Sequence, residues 1–146
     1  MIYLVDIDGT IADLTHRLPL IQKEPADWDA FYMAAGEDKP IWEVITVVRA
    51  LFDSGQRVIM SSGRSEISRA ITVEWLRQYR VPYHGLYMRK ANDHREDNVV
   101  KSELLNNITS DNPTLTVGGA FEDRQQVVDM YRARGLRVFQ VAPGKF

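Results

Sequence analysis

The chain is read as an α/β domain: a parallel sheet with helices on both faces. Three observations predict it. Short apolar runs alternate with longer amphipathic ones along all 146 residues. The first run, "IYLVDI", is almost continuously apolar up to its acid, as in a strand buried on both faces. Polar residues suited to chemistry follow three different strands, as expected where a parallel sheet gathers a site at the carboxyl ends of its strands.

In chain order, residues 2–7 form the first strand, and residues 12–38 are a mixed segment broken by Pro19 and Pro25. "IWEVITVVRALFDSG" is a helix closed by Gly55 as C-terminal cap. "RVIMSS" is the second strand; it meets Gly63, and a helix follows through "EISRAITVEWLRQYR" until Pro82. "GLYMR" is a short third strand, and "EDNVVKSELLNNI" is a helix with acids at its start, where the helix dipole favours them. "LTVGGAF" is the fourth strand, "DRQQVVDMYRARG" a helix closed by Gly135, and "RVFQVA" the fifth strand. Helices of this length between strands imply right-handed crossovers. Neither repeat nor linker interrupts the pattern, so residues 1–146 are expected to form one domain, with a small helical cap inserted at about 12–40.

Bulk properties narrow the class. At 45% hydrophobic and 26% charged the chain has the makeup of a folded globular domain. A net charge of −2 gives no global pull toward nucleic acid or anionic membrane, so phosphate affinity must be local. With 0 cysteines, disulfides and thiolate metal sites are excluded and a reducing compartment fits. No apolar run reaches membrane length, and Asp6 comes too soon for a signal peptide. The expected location is cytoplasmic, in the bacterial host if the chain is phage-encoded, and no membrane partner is expected.

Asp6 and Asp8 follow the first strand, Ser62, Gly63 and Arg64 the second, Glu122 and Asp123 the fourth. Neighbouring carboxylates repel, and each is costly to bury unpaired, so the cluster calls for a cation or for chemistry. An oxygen-only set suits a hard ion, best Mg²⁺, and Mg²⁺ with carboxylates points to phosphate chemistry. One carboxylate can attack phosphorus, giving an aspartyl-phosphate; the acid two positions on can protonate the departing oxygen and then activate water. Gly9 permits the tight turn that brings both to one pocket. Ser62 and nearby N–H groups can hold phosphoryl oxygens, and Lys101 can supply stabilising charge. Thr10 caps the turn beside them and is grouped with the phosphate-binding residues.

These motifs resemble the haloacid dehalogenase-like phosphohydrolases: "DIDGT" their first motif, "MSSGR" the second, "DNVVKSELL" the third and "AFEDR" the fourth. The resemblance implies a Rossmann-like sheet of order 5-4-1-2-3, counting strands along the chain. It implies Asp6 as nucleophile, Asp8 as general acid/base, and Mg²⁺ held by Asp6, the Asp8 carbonyl and a fourth-motif acid. Glu122 is taken as that acid, with Asp123 orienting beside it. "VDIDGTIA", "SSGR", "REDNVVKSEL", "EDRQQVVDMYRARG" and "FQVAPGKF" are more closely similar to the 3′-phosphatase domain of phage polynucleotide kinase-phosphatases, over nearly the whole chain. That implies substrate contacts for Arg17, Arg64 and Asp97. No GxxxxGK[ST] occurs, so the chain resembles the phosphatase half alone.

The expected activity is a Mg²⁺-dependent phosphomonoesterase acting on nucleotides or nucleic-acid ends, a 3′-phosphate on DNA or RNA first. A nucleotidase acting on free mononucleotides is the alternative, and a non-catalytic nucleic-acid-binding module ranks behind both. Trp28, Phe31 and Tyr32 stand at i, i+3, i+4 and are expected to pack, with base stacking the competing role. "RQYRVPYHGLYMRKANDHR" interleaves basic and aromatic residues; a strand-binding face and an ordinary helix end with core tyrosines fit it equally.

Overall fold

A computed structural model describes residues 1–146. β1 spans Ile2–Val5, and β2 (Ala12–Asp13) and β3 (Lys39–Pro40) form a separate antiparallel ribbon. Between them lie α1 (Pro19–Gln22) and α2 (Trp28–Met33). Then follow α3 (Trp42–Asp53), β4 (Arg57–Ser65), α4 (Arg69–Gln78), β5 (Gly85–Arg89), α5 (Asp97–Asp111), β6 (Val117–Glu122), α6 (Gln125–Ala133) and β7 (Val138–Gln140). The main sheet has the order β5-β4-β1-β6-β7, and every pair in it is parallel. Counted over these five long strands, that is the order 5-4-1-2-3 expected from the motifs.

The strand period of two explains both layers of the core. Val5, Val58 and Met60 face a cluster with Ile45 and Val48 of α3 and Trp75 and Leu76 of α4. Ile2, Leu4 and Ile59 face the other side, against Leu105 and Ile108 of α5 and Val127 and Tyr131 of α6. Each fully buried aliphatic side chain contributes about 1.5–3 kcal/mol through burial, so the double layer fixes the central strands firmly.

Two boundaries differ from the sequence reading. β1 ends at Val5 rather than at residue 7; Asp6, whose N–H still donates to the Phe121 carbonyl of β6 at 3.0 Å, and Asp8 stand beyond it. β4 runs on to Ser65, and its pairing with β5 shifts register between Ser62 and Ser65. The "SSGR" stretch is thus an irregular strand end, not a helix entry, and such irregularities re-aim side chains beside sites. The segment between β2 and β3 is stitched at both ends: Ala12 pairs with Pro40 and Asp13 with Lys39.

Candidate active site

The turn after β1 presents Asp6 to a lysine arriving from α5. Lys101 Nζ donates to Asp6 Oδ1 at 2.6 Å and to Glu122 Oε2 at 2.7 Å, and lies 3.7 Å from Asp97 Oδ2. Thr10, expected as a turn cap, reaches the acids instead: its Oγ1 lies 3.1 Å from Asp6 Oδ2 and 3.4 Å from Asp123 Oδ1. One hydroxyl proton can serve only one of them at a time. Glu122 Oε1 accepts the N–H groups of Asp123 and Arg124 at 3.0 and 3.1 Å. Every Glu122 oxygen is therefore engaged, whereas Asp123 Oδ2 is buried with no partner. That orphaned oxygen makes Asp123 the readier fourth-motif ligand, although Glu122 is the one expected from the sequence.

Asp6, Glu122 and Asp123 bring ligand oxygens within 4.8 Å of one another, all three buried. Three ionised carboxylates facing one ammonium leave two negative charges uncompensated, a demand that a divalent cation meets. Protons relieve the same strain. Burial, reinforced by Glu122 and opposed by Lys101, pushes the Asp6 carboxyl well above the ordinary aspartate range. Burial and then the neighbouring Glu122 lift Asp123 to about 7. Glu122 is lowered despite its burial, because Lys101 holds it as the anion. Burial would likewise lower Lys101, but Asp6, Glu122 and Asp97 outweigh it, so the ammonium persists.

Asp8 has a different setting. Its Oδ1 accepts from Arg17 Nη2 at 2.6 Å and from Arg64 Nη2 and Nε at 2.8 and 3.0 Å. Both guanidiniums are buried and also bind Asp38: Arg17 Nε and Nη2 at 2.8 and 2.7 Å, Arg64 Nη2 at 3.0 Å. Two acids and two bases thus form a charge-balanced quartet, with Asp8 as the member that borders the cleft. Burial alone would raise the Asp8 carboxyl; Arg64 and Arg17 reverse that and hold it below its ordinary value. Its carboxylate lies outside the metal-ligating group, which leaves only its backbone carbonyl for an ion.

Asp38 is the member that sequence reasoning missed. Its side chain is fully buried, its backbone carbonyl accepts the Trp75 indole N–H at 2.8 Å, and His16 Nε2 lies 2.7 Å from its Oδ1. A lone acid in "GEDKP", within an irregular insert, carries no pattern that would single it out.

Ser62 is buried and its Oγ accepts the Arg64 N–H at 3.1 Å, so the hydroxyl braces the irregular strand end and keeps its own proton to donate. Gly63 packs against Asp97: a Cβ there would lie 2.0 Å from Asp97 Oδ1. Asp97 opens α5 and is also drawn toward Arg89 (3.4 Å) and Arg124 (3.6 Å), so it is both a helix-start acid and a wall of the site. The basic-aromatic stretch divides. His84 stacks on Phe52 at 4.5 Å and accepts the Val58 N–H, Tyr87 bonds Asp111, and Arg77 pairs with Glu74. Arg89, His94 and Arg95 remain at the cleft.

Asp6, Asp8, Gly63 and Asp97 line a cleft of about 330 Å³ that extends past Trp28, Phe31 and Tyr32 of the cap. No helix is long and apolar enough to cross a membrane. The family model of the polynucleotide kinase PNKP phosphatase domain matches residues 1–146. A protein of Autographa californica nuclear polyhedrosis virus, named as a bifunctional polynucleotide kinase/RNA ligase, is 30% identical over 131 residues, covering 88% of this chain and 17% of the viral protein. A chain of the Pnkp1/Rnl/Hen1 RNA repair complex superposes with a TM-score of 0.84 at 34% identity, over 99% of this chain and 43% of that one. This chain therefore spans less than half the length of either relative. The class C acid phosphatase from Bacillus anthracis shares the fold, with a TM-score of 0.69 at 14% identity over 99% of this chain and 67% of that one. With its motifs assembled on a haloacid dehalogenase-like fold, the chain is a phosphatase and belongs to the polynucleotide kinase PNKP phosphatase-domain family.

Proposed function

We propose that this domain removes the terminal phosphate from DNA or RNA 3′ ends, by two successive displacements through Asp6. The observation that carries the reading is the shared cleft: Asp6 and Asp8 both border it, one held against an ammonium, the other against two guanidiniums. Asp6 attacks phosphorus and forms the acyl-phosphate bond while the bond to the departing 3′ oxygen breaks. Asp8, when protonated, gives that oxygen its proton. In the second step Asp8, again a carboxylate, takes a proton from the water that attacks phosphorus and frees Asp6. Its arginine partners favour this anionic state, and they fix the carboxylate in one orientation for both transfers.

Lys101 keeps Asp6 oriented, and its charge offsets the negative charge that builds on the transferring group. Ser62 and the backbone of the strand end stand ready for the phosphoryl oxygens. Arg17 and Arg64, expected from the resemblance to touch substrate, are engaged with Asp8 and Asp38 and act through Asp8. Asp6 and Asp123 fit Mg²⁺ best, with the Asp8 carbonyl completing the protein ligands and Glu122 holding Lys101. The ion would supply Lewis-acid stabilisation of the phosphoryl oxygens.

The testing experiment compares kcat/KM on one oligonucleotide carrying a 3′-phosphate, the same strand carrying a 5′-phosphate, and the corresponding mononucleotides. Preference for the 3′ end is expected, with a KM that rises with salt as counterion release predicts. Equal or better turnover of mononucleotides, insensitive to salt, would assign the domain to nucleotidase chemistry instead.

A further inference from the structure

The aromatic triplet of the cap does not behave as one packed face. Phe31 is buried, with the Arg17 guanidinium 4.3 Å over its ring, so it belongs to the core of the insert. Trp28 remains 44% exposed although it is a large apolar side chain. It is nevertheless held in place. Asp27 caps α2 by accepting the Ala30 N–H at 3.0 Å, and the indole meets Phe31 at 5.6 Å and 84°. Tyr32 lies 6.0 Å away at a 34° tilt. Neither neighbour stacks flat on the indole, so a face is left for a planar ligand.

The surroundings fit such a ligand. Trp28 and Tyr32 line the cleft that holds Asp6 and Asp8, and a side cleft of about 100 Å³ that they share with Arg89, Asp93, His94 and Arg95. Arg95 pairs with Asp93 at 2.8 Å and with Glu103 at 2.5 Å. Carboxylates suited to phosphate chemistry and planar side chains lining the same cleft match a phosphate and a nucleobase joined by one sugar.

We propose that Trp28, supported by Tyr32, is the stacking platform for the base of the nucleotide that carries the scissile phosphate. This rests on the reading of the domain as a phosphatase of nucleic-acid ends. Because every base has a π-face, the platform tolerates any sequence and acts on affinity rather than on the chemical step.

The test is a cycle over protein and substrate. KM is measured for an oligonucleotide 3′-phosphate whose last nucleotide carries its base, and for the same strand with an abasic last nucleotide. The native domain should favour the base-bearing end by roughly tenfold or more. Trp28→Ala should bring the two ends to near equality, Trp28→Leu should do the same while keeping apolar bulk against Phe31, and Trp28→Phe should keep most of the preference. An unchanged preference in the Ala and Leu variants, or no preference in the native domain, would overturn the platform while leaving the phosphatase reading intact. Failure of the native domain to dephosphorylate either end, with p-nitrophenyl phosphate still hydrolysed, would overturn the underlying reading and the platform with it.

Discussion

Asp8 and Asp38 are joined through two shared guanidiniums: Arg17 binds them at 2.6 and 2.7 Å, and Arg64 at 2.8 and 3.0 Å. Asp38 lies just before β3 and Asp8 on the turn after β1, so the quartet ties these two segments together. Its charges cancel, which is what makes burying four ionised groups tolerable.

Removing Asp38 should expose that dependence. Asp38→Ala leaves two buried guanidiniums sharing one carboxylate, and a loss of about 3–5 kcal/mol in unfolding free energy is expected from urea titration. Asp38→Asn keeps the shape and should cost less. In that milder variant kcat should fall by about tenfold or more on an alkyl phosphate ester, whose leaving oxygen needs a proton. p-Nitrophenyl phosphate, whose leaving group needs none, should be much less affected. An equal fall on both substrates would show that Asp38 does not act by orienting Asp8.

Asp6 answers to the opposite logic. Its carboxyl sits well above the ordinary range because burial and Glu122 oppose the anion. A carboxyl raised in the fold costs stability as pH climbs past its unfolded value, so at neutral pH the anion is a burden on folding. Asp6→Asn should therefore leave Tm unchanged or higher while lowering kcat by about four orders of magnitude or more. Thermal unfolding and a single-turnover assay on the same preparation check both halves. A destabilised variant that kept activity would contradict both.

What the sequence made legible follows from which residues obey local rules. Asp6, Asp8, Glu122 and Asp123 stand just beyond or at the ends of strands whose apolar runs announce themselves, and parallel strands deliver their ends to one edge. Lys101 falls on a helix of recognisable length and points back to that edge. The partners of the arginines were not legible. Arg17 and Arg64 could be named, but only folding of the irregular insert brings Asp38 between them, and no periodicity encodes that approach. The prolonged β4 escaped for a similar reason: Gly63 reads as a helix entry, yet its close packing on Asp97 and the shifted register against β5 keep it extended. His84 and Tyr87 of residues 77–95 meet their partners through contacts with α3 and α5 that lie far away in sequence.

Metal loading should depend on pH in a defined direction. Asp123, lifted to about 7, must lose its proton before its oxygen can bind an ion. Mg²⁺ affinity should therefore rise about tenfold between about pH 6 and about pH 8, with close to one proton released per ion near the lower limit. Calorimetry in two buffers of different ionisation enthalpy measures both quantities. Asp123→Asn should weaken binding and flatten the pH dependence. Affinity that did not change with pH would remove Asp123 from the ligand set. Adding EDTA should stop turnover, and excess Mg²⁺ should restore it.

Two glycines separate backbone strain from damage to the site. Gly9 and Gly55 both sit in the left-handed region, at φ +80° and +90°, where a side chain costs about 1–2 kcal/mol. Around Gly55 nothing lies within 4 Å of an added Cβ, whereas at Gly9 it would fall 2.0 Å from Asp123 Oδ2 and 2.6 Å from Cγ. Gly55→Ala should lose that backbone increment in urea unfolding and keep full activity. Gly9→Ala should lose a comparable amount and also displace the Asp123 carboxylate from Asp6 and Thr10, so its activity should fall by tenfold or more and its Mg²⁺ requirement should rise, on the order of one binding increment. If both variants retained native kcat and native Mg²⁺ dependence, the close contact between Gly9 and Asp123 would have no bearing on catalysis.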